Sequence, residues 1–218
     1  MSKPESTYID LYTWATPNGR KISILLEELG LPYRYHAVDI TKGEQNLPAF
    51  TRLNPNAKIP ALEDHETGKK LMESGAIMLY LASRTGNLLS ESGSAEYWNQ
   101  VQWLMLQVGG IGPMLGQLHH FAKFNPGKSE YAETRYKSEA NRLYELLNDR
   151  LKDHEYLAET YSVADISTWP WIARFDYQGM DLNDYPALKR WYLSIASRPA
   201  VKRGYVVPTK AEIPLPAQ

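Results

Sequence analysis

The stretch Asn54-Pro55-Asn56-Ala57-Lys58-Ile59-Pro60-Ala61-Leu62, followed a hairpin's length later by Glu73-Ser74-Gly75-Ala76-Ile77, constrains this chain more than any other. Proline at the mouth of a strand cannot donate a ladder hydrogen bond. Ile59, just before it, can therefore keep its own N–H and C=O for a ligand, the more so if the Ile59–Pro60 bond is cis. Glu73 and Ser74 stand ahead of Ala76-Ile77-Met78-Leu79-Tyr80-Leu81, whose apolar spacing predicts a helix to about Arg84. Free N–H groups and the dipole at that helix start favour a carboxylate, so Ser74 with its amide suits an anion while Glu73 suits an ammonium. Either motif alone also reads as an ordinary proline turn or a capped helix. In this order and at this spacing they form a pocket for the zwitterionic end of a γ-glutamyl peptide.

Cysteine is absent from all 218 residues. Thiol chemistry, if the chain performs any, must then be carried by a bound small molecule, and disulfides and Cys-x-x-Cys pairs are excluded. The five histidines do not supply a metal site by spacing. His119 and His120 are adjacent and point different ways on a helix, unlike an i, i+4 ligand pair, so they read as structural or pocket-lining and no metal is expected. A net charge of −1 gives no basic footprint for nucleic acid. The apolar runs fall short of a membrane span, and residues 1–6 are polar with no signal-peptide core, which points to the cytoplasm.

The chain divides near residue 90. Tyr8–Tyr12 reads as a strand; a helix opens at Pro17 and runs to Leu29, where Gly30 ends it, and Tyr33–Val38 is a second strand. A short helix over 47–53, a hairpin of 61–64 with 70–72 turning at Thr67-Gly68-Lys69, and the helix after Ser74 complete a β-α-β-α-β-β-α order. Residues 86–93 form the linker. Beyond it everything reads as helical: 95–109 and 114–124, with Gly109-Gly110-Ile111-Gly112-Pro113 breaking or kinking them apart; 131–151; a segment capped by Ser162-Val163-Ala164-Asp165 that buries Trp169, Trp171 and Ile172; and 186–195. The Pro-rich tail from Pro208 reads as extended or mobile. The fold class is thus α/β plus all-α: a thioredoxin-like N-terminal domain over 7–86 and an all-helical C-terminal domain over 94–207.

A thioredoxin-like half bearing Ile59-Pro60 and Glu73-Ser74, joined to a helical half bearing Ser162-Val163-Ala164-Asp165, resembles a cytosolic glutathione transferase over nearly its whole length. Thr16-Pro17-Asn18-Gly19-Arg20-Lys21, Gln102-Trp103, Gly109-Gly110-Ile111-Gly112-Pro113-Met114 and His119-His120-Phe121 resemble its nu class, the bacterial group similar to a yeast nitrogen regulator. That resemblance implies a homodimer that binds glutathione or its disulfide and reduces small disulfides, with weaker peroxidase and conjugating activities.

Residue roles follow from the same resemblance. Where a redox cysteine pair would open the first helix stand Thr16 and Asn18, whose hydroxyl and amide can donate to a bound thiolate; helix capping is the competing use of both. Tyr12, at the end of the first strand, is the rival hydroxyl. Ile59 pairs with the cysteinyl unit, Glu73 and Ser74 hold the γ-glutamyl end, and Lys58 and Gln45 lie toward the glycine end. Arg135 matches a basic position turned toward a second glutathione. Two glutathiones then replace the missing dithiol: one thiol attacks a substrate disulfide and the other resolves the mixed disulfide. A transferase or peroxidase acting on electrophiles or hydroperoxides, and a non-catalytic glutathione-binding regulator, remain the alternatives.

Overall fold

The computed structural model of this protein describes residues 8–217; the polar stretch expected at residues 1–6 lies outside them. Among these residues no helix is long and apolar enough to cross a membrane.

The first compact unit opens on β1 (Ile9–Thr13) and α1 (Pro17–Leu29). The Thr16 hydroxyl oxygen caps α1 by accepting from the Gly19 N–H at 3.2 Å, and Pro17 occupies the first turn, where its missing N–H costs nothing. Gly30, at φ 63°, ends the helix in the left-handed conformation that glycine adopts without a steric penalty. The chain returns as β2 (Tyr33–Ala37), parallel to β1, and continues through α2 (Pro48–Thr51), β3 (Ala61–Asp64), β4 (Lys69–Met72) and α3 (Ser74–Thr85). β3 runs antiparallel to both β1 and β4, giving a four-stranded sheet in the order β2-β1-β3-β4. Leu11, Ile22, Leu25, Leu62, Ile77 and Leu81 are fully buried between this sheet and α1 and α3.

The second unit is helical: α4 (Ala95–Leu106), α5 (Gly112–Leu118), α6 (Glu130–Asp153), α7 (Val163–Ile172) and α8 (Pro186–Ser197). The glycine-rich stretch expected to break or kink one long helix does not break it: it forms a widened helical turn, Gln107–Ile111, leading straight into α5, and a second one, His119–Phe124, follows. Such turns bond i to i+5, so the helix continues in a new register that accepts Pro113 in the first turn of α5. Gly112 is needed there, because a Cβ would lie 2.8 Å from Gln107 Nε2 and 3.4 Å from the Trp171 ring. At the start of α7 the capping box forms as expected: the Ser162 hydroxyl accepts from Ala164 N–H, and the buried Asp165 carboxylate accepts from Ser162 N–H at 3.1 Å. Trp169, Trp171 and Ile172 are buried.

The last short helix, α9 (Pro199–Tyr205), differs from the expected 94–207 boundary, because Arg198–Glu212 belongs to the first compact unit with the chain up to Asn87. Its bonds to α1 explain why. Ser23 Oγ donates to the Gly204 carbonyl at 2.7 Å, and Arg20 Nε donates to the Tyr205 carbonyl at 3.1 Å with its guanidinium 3.7 Å above the Tyr205 ring. Arg198 grips Glu28 through two bonds of 2.7 and 2.9 Å. The tail beyond has no regular element but is tied to the helical unit: Tyr192 donates to the Pro214 carbonyl at 2.6 Å and Asn183 to that of Ala217 at 3.4 Å.

Candidate functional site

Within the first unit, three stretches of chain converge on a cavity of about 180 Å³. Asn18 enters it from the first turn of α1, Lys58, Ile59 and Pro60 from the approach to β3, and Glu73 and Ser74 from the start of α3. The Ile59–Pro60 bond is cis. Among the described residues neither the N–H nor the C=O of Ile59 has a hydrogen-bond partner, so a strand edge faces the cavity. Asn54 organises the loop leading there: it is buried, its Nδ2 donates to the Lys58 carbonyl at 2.6 Å, and its Oδ1 accepts from Asn56 N–H at 2.9 Å. Asn54 just before Pro55 carries the sequence signal of an Asx turn, although nothing in the sequence ties it to the cavity.

Glu73 adopts φ 69° and ψ 114°, a backbone region that residues with side chains rarely occupy and that tends to persist only at functional sites. This geometry brings its carboxylate near Asn56, whose Nδ2 donates to Oε1 at 3.5 Å, and starts α3 at Ser74. Ser74 is buried, and behind it stands Lys21 of α1, only 2% exposed, whose Nζ donates to Ser74 Oγ at 3.2 Å. Burial pushes the Lys21 ammonium down to about 7, against the pull of the Glu73 charge. In the sequence Lys21 stands out only as part of the Thr16–Lys21 stretch. Its burial beneath the cavity comes from the packing of α1 on α3.

The remaining expected site residues are distributed as follows. Thr16 caps α1 and does not line the cavity, but accepting from Gly19 leaves its hydroxyl proton to donate. Gln45 lies on the turn Glu44–Asn46, away from the lining, with a buried Oε1 that has no partner among the described residues. Arg135 belongs to the second unit, on α6, where it lines a separate cavity of about 630 Å³ beside Tyr131, Tyr136 and the Glu139–Arg142 pair. Tyr12 stacks on the His36 ring at 4.6 Å and leans on Phe50, and burial pushes its phenol upward, so it stays protonated. His119 is buried against Trp171 and Gln178, and burial pushes it down to about 4, which makes it neutral; His120 is exposed.

A thioredoxin-type sheet with a cis-proline beside an acid–serine helix start, followed by a helical unit, defines the glutathione transferase class of fold. Two family models match: the glutathione S-transferase N-terminal domain over residues 8–83 and the C-terminal domain over 130–193. The chain is 50% identical over 198 residues to the disulfide-bond oxidoreductase YfcG of Escherichia coli strain K12, covering 88% of this chain and 92% of that protein. A glutathione transferase homologue from Lodderomyces elongisporus, solved with two glutathiones per subunit, superposes with a TM-score of 0.88 at 37% identity over 92% of this chain and 98% of that one. One from Pseudomonas putida, solved with one glutathione disulfide per subunit, gives 0.86 at 38% over 95% and 94%. The chain belongs to the glutathione transferase family, and the two-part fold its sequence implied is the fold it has.

Proposed function

We propose that this protein is a glutathione-dependent disulfide-bond oxidoreductase, using glutathione thiols in place of protein cysteines. The observation that carries the reading is the cavity beside the N-terminus of α1 in a chain without cysteine. It offers an acceptor for an ammonium at Glu73, a donor set for a carboxylate at Ser74, and an open strand edge at Ile59 between them. This donor set fits a γ-glutamyl peptide. Relatives that carry a disulfide-oxidoreductase name, or hold glutathione and its disulfide, support the same reading.

Bound glutathione supplies the thiol that the chain lacks. Ile59 aligns the ligand by antiparallel backbone pairing, Glu73 and Ser74 anchor its γ-glutamyl end, and Lys58 serves the glycine end; Gln45, which the resemblance assigns to that end, stands outside the lining of this cavity. Asn18 and Thr16 donate toward the sulfur at the positive end of α1. A hydrogen bond to a charged acceptor contributes about 1.5–3 kcal/mol, which would lower a thiol pKa by about one to two units. Arg135 offers a guanidinium for a second glutathione on the helical unit. The substrate is a small-molecule disulfide, and the working form is a cytoplasmic homodimer.

The test is NADPH consumption coupled through glutathione reductase, with reduced glutathione and 2-hydroxyethyl disulfide. Asn18→Ala should lose about 10- to 100-fold in turnover, as removal of one charge-assisted donor implies, while Tyr12→Phe keeps most of it. Turnover no faster than the uncatalysed rate would sink the reading. Faster reaction with electrophiles or hydroperoxides than with disulfides would reassign the same site to conjugation or peroxide reduction.

A further inference from the structure

Lys21 sits one helical turn after Asn18, on the same face of α1, directly beneath the residue assigned to the ligand carboxylate. A lysine ammonium has three donors and no acceptor, whereas a serine hydroxyl has one donor and two lone pairs. When Lys21 is charged, Ser74 Oγ must accept from it, and the hydroxyl proton is left to point at the cavity. When Lys21 is neutral, it still has two N–H donors but gains a lone pair, so the Ser74 hydroxyl proton is also free to turn inward, away from the ligand. The charge on a buried amine therefore fixes the outward orientation of the Ser74 hydroxyl, by removing the inward one.

We propose that Lys21 is a positioning residue that couples proton uptake to ligand binding, its ammonium orienting the Ser74 hydroxyl toward the γ-glutamyl carboxylate. This rests on the glutathione reading of the site. The carboxylate returns the favour electrostatically: an anion held at Ser74 stabilises the ammonium behind it, so binding draws a proton onto Lys21. Glu73 is the charge that acts on Lys21 from α3. The other charges on the packed elements are engaged elsewhere. Arg20 bonds the Tyr205 carbonyl, Arg203 and Arg198 pair with Glu27 and Glu28 on α1, Arg84 of α3 pairs with Asp64 and Glu66, and Asp10 of β1 pairs with Arg34, His36 and His65. Burial already holds the free amine near neutral pH, so the switch works in that range. The sign follows: affinity is highest below about pH 7 and falls as pH rises through it.

Isothermal titration with S-methylglutathione, whose thioether has no proton to lose, tests this in buffers of different ionisation enthalpy. At pH 8, one unit above its free value, only about a tenth of Lys21 is charged. Wild type should therefore take up nearly one proton per site, and less at pH 6. Lys21→Met should bind tenfold or more weakly at pH 6 and show no such uptake. A γ-aminobutyryl analogue lacking the α-carboxylate should bind both proteins alike. Binding by wild type with no proton uptake at pH 8 would overturn the role of Lys21 and leave the glutathione site standing; this arm needs no variant to fold. Failure of wild type to bind S-methylglutathione at all would overturn both.

Discussion

Asp165 ties three segments of the helical unit together, and its removal has a cost that can be worked out bond by bond. Its carboxylate is fully buried and accepts three N–H groups: Leu157 N–H at 3.0 Å and Trp191 Nε1–H at 2.8 Å on one oxygen, Ser162 N–H at 3.1 Å on the other. Asp165→Ala leaves all three donors buried without a partner, each at about 1–3 kcal/mol, partly offset because no carboxyl then needs burying. A net loss of about 3–5 kcal/mol is expected, against a total stability of about 5–15 kcal/mol for a typical domain. Asp165→Asn is the discriminating variant. Its Oδ1 still accepts from Leu157 and Trp191, but its NH₂ faces the Ser162 N–H, donor against donor, so one group is left unsatisfied at about 1–3 kcal/mol. Urea unfolding followed by tryptophan fluorescence at pH 8, where the side chain is the carboxylate, should rank wild type above Asn above Ala, with Trp169 and Trp191 reporting from the same packing. Burial pushes the Asp165 carboxyl up to about 6 although three donors favour the charged form. An aspartate unfolds to about 3.9, so the raised folded value gives a contribution fully present below that pH and lost as pH rises through about 6. The difference between wild type and Asp165→Asn should shrink across that window. An alanine variant costing less than about 1 kcal/mol, or an asparagine variant as damaging as alanine, would refute the donor accounting.

Gly204→Ala should separate α9 from α1. The new Cβ would lie 2.5 Å from Ile24 Cα and 2.6 Å from its nitrogen, backbone atoms that cannot swing aside, so a loss of about 1–3 kcal/mol is expected from the urea midpoint; an unchanged midpoint would contradict that packing. Asp10→Asn tests the cluster on β1. Burial alone would raise the Asp10 carboxyl, but hydrogen bonds from Arg34 (2.9 and 3.0 Å), His36 (3.0 Å) and His65 (2.8 Å) hold it well below the usual range. A lowered folded value gives stability that is present above about pH 3.9 and lost as pH falls below it. The Tm advantage of wild type over Asp10→Asn should therefore be full at pH 6 and fade toward pH 3, and a difference independent of pH would count against the cluster.

Most of the first unit could be read from local chemistry. Pro17 and Gly30 bracket α1 to the residue, and Ser162-Val163-Ala164-Asp165 marks the start of α7, because caps and prolines act within one turn of chain. Local reading failed where register or docking decides. Three glycines and a proline in five residues look like a break, but a change to i, i+5 bonding keeps that helix going, and sequence does not show the change. The helix Pro199–Tyr205 leaves no clear sequence signal, because it is seven residues long with Gly204 near its end, too short to be stable alone. Tertiary contacts hold it: Ser23, Arg20 and the close approach to Ile24.

The site divides along the same line. Ile59-Pro60 and Glu73-Ser74 could be read as a pair because each motif states its own backbone chemistry, and α3 and β3 bring them to one cavity. What could not be read was the layer beneath. Lysine in the middle of an amphipathic helix ordinarily reaches solvent, so composition gives no reason to place Lys21 inside. The available signal was positional: Lys21 follows Asn18 by one turn and is followed by Ile22 and Ile24, residues that must themselves be buried. A charged residue on the ligand-facing stripe of a helix otherwise committed to the core must find a polar partner or give up its proton. Ser74, brought there by α3, is that partner, and the pairing ties ligand recognition at the surface of the cavity to a proton held below it.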